Sequence, residues 1–67
     1  MIMEIGIVAG EIWHYLDECH SANLDQLTKG TKRPRELVLM SLGWLAREGH
    51  VSLGTPEGGY TATLNRR

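Results

Sequence analysis

Four bases fall within seven residues at Lys29, Lys32, Arg33 and Arg35, and this is the densest site for chemistry in the chain. Such a group suits the holding of phosphate. Pro34 marks a helix start beside it, and the unpaired N–H groups of a helix start favour the same anions. Arg47, Arg66 and Arg67 are further candidates for the positive field, and Thr55 or Thr61 for donation to a phosphate oxygen. A solvated charged turn is the plain alternative, since most such clusters are only that.

Other chemistries lack their residues. His14, Cys19, His20 and His50 are the candidate soft metal ligands, but no C-x-x-C or H-x-x-x-H pair exists and the adjacent Cys19 and His20 point apart on a helix. No metal or cofactor is expected. Cys19 would need an activating base and an orienting third group to act as a nucleophile, and it falls on an apolar stripe. The loop Gly54 to Gly59 has neither the lysine nor the following helix of a phosphate-binding loop. The expectation is a binding protein and not an enzyme.

Charge is ordered along the chain. Residues 1–28 hold five acids (Glu4, Glu11, Asp17, Glu18, Asp25) and no Lys or Arg, whereas residues 29–67 hold seven bases against three acids. The net charge of −1 and a pI near 6.3 give no overall attraction to polyanions. A chain of 67 residues forms one domain, 1–67, whose core supplies roughly 3 to 5 kcal/mol unless something supplements it. The single Cys19 forms no internal disulfide, so close packing or a second copy of the chain is the expected supplement. No apolar run approaches the ~20 residues of a membrane span, no signal peptide is visible, and a cytoplasmic setting is expected.

The elements that must position these residues can be read from hydrophobic spacing. Ile5, Val8, Ala9, Ile12, Trp13 and Leu16 predict an amphipathic helix over about residues 3–18, with Cys19 prolonging its buried stripe. Gly6 and Gly10 fall on a flank beside Met3 and Ile7, and two interior glycines, each costing about 1 kcal/mol, ask for a close neighbour or a subunit contact. His20 to Ala22 connect onward, with a short edge strand as one option. Asn23 and Gln26 form a capping-box pair before a short helix at about 24–29, with Leu24 and Leu27 inward and Gly30 as its stop.

The next helix, about 34–48, buries Val38, Leu42 and Leu45, while small Ser41 and Ala46 let another helix come close. Gly49 ends it in a left-handed turn, and alternation over about 50–64 predicts a hairpin with a Pro- and Gly-containing turn. Tyr60, Ala62 and Leu64 are expected to pack on the returning strand. Arg66 and Arg67 form a frayed tail.

The order of elements, and the runs AGEIWHYL, LDQLTKGT and LGWLAREGHV, resemble the small stand-alone winged helix-turn-helix domains of uncharacterised bacterial and archaeal proteins. The similarity spans about residues 4–64 and is most specific over Leu42 to Gly49. It implies an α+β winged fold of three helices and a β-hairpin wing, a homodimer, and a DNA-binding ancestry whose target it does not name. The helix that reads DNA usually follows a Ser, Thr or Asp cap; here Arg33 and Pro34 hold that place.

Two functions follow. The first is a dimeric transcription regulator that binds double-stranded DNA mainly through phosphates, using Lys29, Lys32, Arg33, Arg35, Arg47, Thr55, Arg66 and Arg67. The second is an interaction module that keeps the winged fold and pairs through Met3, Gly6, Ile7 and Gly10 or through Leu39, Met40, Gly43 and Trp44. The outward side of the third helix favours the second, because Leu39 and Met40 cannot read base edges and only Arg47 among its neighbours can. Trp44 and Trp13 are expected as core or interface anchors.

Overall fold

Apolar side chains at helical spacing draw the first helix onto the core. A computed structural model describes residues 2–55 and 59–65. Helix α1 runs Ile2–Cys19 and buries Val8, Ala9, Ile12 and Leu16. Val8, Ile12 and Leu16, fully buried, each contribute about 1.5–3 kcal/mol. Trp13 lies on the flank of this stripe and stays 37% exposed, so it is not a core residue. Cys19 is also exposed, against expectation. It keeps the right rotational phase, but the helix overruns the core there. His20 turns the chain back with φ 70°, its N–H donating to Leu16 O at 2.7 Å.

The optional edge strand is present as β1, Ser21–Asn23. Helix α2, Leu24–Thr31, begins with the expected capping box: Gln26 N–H donates to Asn23 Oδ1 at 2.8 Å and Asn23 N–H to Gln26 Oε1 at 2.9 Å. Gly30 does not stop this helix. The stop is Lys32, left-handed at φ 58°, whose N–H donates to Thr28 O at 2.9 Å. Gly30 has a different use, because a Cβ there would run into the ring of Tyr15 on α1.

Helix α3 spans Arg35–Arg47 and buries Leu37, Val38, Ser41, Leu42 and Leu45. Pro34 is its cap residue, with extended ψ 146° and no side-chain cap bond, as its lack of a hydroxyl dictates. Ser41 is fully buried and donates to Leu37 O at 2.8 Å, with Ile5 O of α1 also in reach at 3.3 Å. Its smallness lets the two helices meet there. Gly6 and Gly10 have no such role, since a Cβ on either would meet nothing within 4 Å.

Gly49 takes φ +80° and releases the chain into strand β2, Val51–Gly54, which pairs antiparallel with β3, Thr61–Leu64. Strand β3 is central, in the order β1-β3-β2, with Ala22 opposite Ala62 and Val51 opposite Leu64. Val51, Ala62 and Leu64 close the core. Tyr60 does not pack on the sheet as expected and remains exposed: it precedes β3, and its carbonyl accepts from Leu24 N–H at the start of α2. Leu53, on the edge strand opposite Ala62, is exposed too. The expected turn at 56–58 and the tail at 66–67 fall outside the described residues.

Candidate nucleic-acid interface

The four clustered bases come from the last turn of α2, the joint and the start of α3, and folding treats them differently. Lys29 and Lys32 are exposed. Arg35 is exposed too, with Nη1 3.9 Å from Asp25 Oδ1, a loose surface pair. Arg33 is committed. Its Nε donates to Glu11 Oε1 at 2.8 Å and its Nη2 to Glu11 Oε2 at 2.9 Å, a two-pronged pair that ties the joint to the middle of α1. The hydrogen bonds from Arg33 hold the Glu11 carboxyl below its ordinary value, against an opposing push from burial and with a smaller contribution from the guanidinium charge. Arg33 is held correspondingly above its ordinary value, by its bonds to Glu11 first and then by that charge.

The remaining candidates are spread out. Arg47 lies in the last turn of α3. At 1.5 Å per residue it stands about 18 Å along the helix axis from Arg35. Thr55 is exposed after β2, and Arg66 and Arg67 lie outside the described residues. On the outward side of α3, Glu36, Met40, Gly43 and Arg47 are exposed and Leu39 is half-buried. Of these, Arg47 alone has donors that could reach a base edge.

The apolar candidates converge better. Met3, Gly6, Ile7 and Gly10 are exposed on α1, and Met40, Gly43 and Trp44 on α3. Gly6 and Trp44 meet across a groove of about 400 Å³ completed by Ile2 and Ile5. A second cleft, about 380 Å³, opens where Glu11, His14, Tyr15 and Glu18 of α1 face Gly30 and Thr31 of α2. Among the described residues no group of three His, Cys, Asp or Glu side chains is arranged to hold a metal ion, and no helix is long and apolar enough to cross a membrane. The exposed Cys19 thiol donates to Tyr15 O at 3.3 Å.

Sequence reasoning missed Glu11 as the partner of Arg33 and Ile2 as part of the groove. A signal for Glu11 existed: Glu4, Glu11 and Glu18 recur every seven residues, which puts them on one face of α1.

The three helices, the glycine-stopped third helix and the hairpin beside it correspond to one known domain type. A family model for this type matches residues 1–63. The chain belongs to the winged helix-turn-helix domain family DUF2582. Among solved structures, this winged helix is similar to the solution NMR structure of protein BT2368 from Bacteroides thetaiotaomicron, with a TM-score of 0.81. The two are 27% identical, over 92% of this chain and 76% of that one. No curated protein matches this winged helix. In its helix-turn-helix, α2 and α3 are the motif helices and β2–β3 the wing, an architecture associated with nucleic-acid binding.

Proposed function

We propose that this winged helix pairs with itself and, as a pair, holds duplex DNA by its phosphates without reading base sequence. The observation that carries the phosphate part is the contrast at α3. Exposed Lys29, Lys32 and Arg35 crowd about its start, while its outward side offers Arg47 as a lone base reader. Phosphate contacts fix position and supply affinity; base contacts supply specificity. A regulator of this kind acts by occupancy in the cytoplasm and performs no catalysis.

Pairing is supported by the apolar surface that α1 and α3 share. Ile2 is 86% exposed and lines the groove with Trp44, itself 48% exposed, and Met3, next along α1, is 80% exposed. A specific interface needs roughly 800 Å² from each partner, and large apolar side chains at such exposure supply much of it. This surface also favours a second reading, a self-pairing interaction module that does not bind DNA.

Titrating the chain with a duplex oligonucleotide at rising salt separates the two. Log affinity should fall linearly with log salt at a slope of about −0.9 for each phosphate held, and the slope should be the same for unrelated sequences. Lys32→Glu should flatten it. Met40→Glu should lower the sedimenting mass to that of one chain. No binding at low salt by a chain that still sediments as a pair would leave the interaction module standing. A single-chain mass for the wild type would remove the pairing.

A further inference from the structure

We infer that Glu11 is a built-in competitor for nucleic acid: its carboxylate occupies the guanidinium of Arg33 in the two-pronged geometry that a backbone phosphate would use. This inference rests on the reading that the joint meets phosphate, and it adds how that meeting is held in check.

Three observations carry it. The pair engages two nitrogens on two oxygens, at 2.8 and 2.9 Å, which is how guanidinium also grips phosphate. The pair is open to solvent, with the Arg33 and Glu11 side chains 37% and 39% exposed, so an incoming anion can reach both. Arg33 also stands between exposed Lys32 and Arg35, and among the described members of the basic cluster it is the one held by an internal anion at bonding distance on both prongs, Arg35 having only a loose contact with Asp25. Glu4 adds a weaker attraction from the same helix. The acid-first, base-last order of the sequence therefore folds so that the acidic helix screens the basic joint.

Glu11→Gln keeps the side-chain shape but cannot accept at both positions. It should tighten binding of a duplex oligonucleotide several-fold at low salt and steepen the salt slope by about 0.9, one added phosphate. Loss of a negative charge would raise affinity for any polyanion, so Arg33→Gln is the discriminating partner. In the wild type Arg33→Gln should change affinity little; in the Glu11→Gln background it should erase the gain. Equal losses in both backgrounds overturn the inference. Arg33→Lys, whose ammonium cannot make the two-pronged pair, should also steepen the slope, and an unchanged slope there counts against the competitor.

A second readout does not need DNA. The Arg33 Nε–H resonance, followed during addition of inorganic pyrophosphate, should move in Glu11→Gln at concentrations that leave the wild type unmoved. If it moves while neither chain binds duplex, the DNA reading fails, and with it the nucleic-acid part of the inference; what stands is competition between Glu11 and phosphate anions for Arg33. If it is unmoved in both, the competitor is wrong.

Discussion

Gly30 of α2 lies directly against the ring of Tyr15 of α1, with no room between them for a methyl group. The contact sets how closely the first two helices approach, since Tyr15 packs on the core with its ring edge turned to the second helix. Alanine in a helix interior is ordinarily better than glycine by about 1 kcal/mol. Here the sign should reverse. Gly30→Ala should lower stability by about 1–3 kcal/mol, the usual cost of overpacking, measured by denaturant unfolding. In a Tyr15→Ala background the same substitution should become stabilising. A stabilising Gly30→Ala in the wild type would mean that the ring moves aside freely.

Asn23 carries two roles at one position, closing β1 and capping α2. Its side chain and that of Gln26 satisfy two backbone N–H groups reciprocally. Asn23→Ala should cost about 0.5–2 kcal/mol and Asn23→Gly only a few tenths, because glycine still suits a helix cap. Thermal unfolding of the two variants checks the order. Equal losses would show that strand pairing, and not the cap, is what the residue provides.

The Arg33 pair makes stability depend on acid. The Glu11 carboxyl has a folded value depressed below its ordinary 4.5, so its contribution is fully present above that pH and is lost as pH falls through the lowered folded value. Thermal melts of the wild type and Glu11→Gln across an acid series should therefore differ by a constant amount above 4.5, draw together as pH falls from there, and converge only below the lowered folded value. A difference that persists in strong acid would trace to packing of the side chain and not to its charge.

Much of the fold was legible because its signals are local. The stripe Val8, Ile12, Leu16 and the stripe Val38, Leu42, Leu45 follow from helical spacing, and the capping box and the Gly49 stop follow from neighbours within a few residues. Gly30 misled for a related reason. Glycine near a helix end resembles a stop by composition, whereas the left-handed residue is Lys32 and the need for a missing Cβ comes from another helix. Cys19 and Tyr60 misled because periodicity gives the direction of a side chain but not where the core ends.

Taken alone, the sequence determined the order of three helices and a hairpin, the inward stripes of α1 and α3, and the separation of acidic from basic residues, all of which depend on residue type and on spacing of a few positions; the edge strand β1 it left as an option. Tertiary structure decided which bases remain available. Arg33 and Glu11 lie 22 positions apart, and nothing in local spacing brings them together. The packing of α2 and α3 on α1 does, and it places one of four clustered cations on a carboxylate of the first helix while Lys29, Lys32 and Arg35 stay exposed.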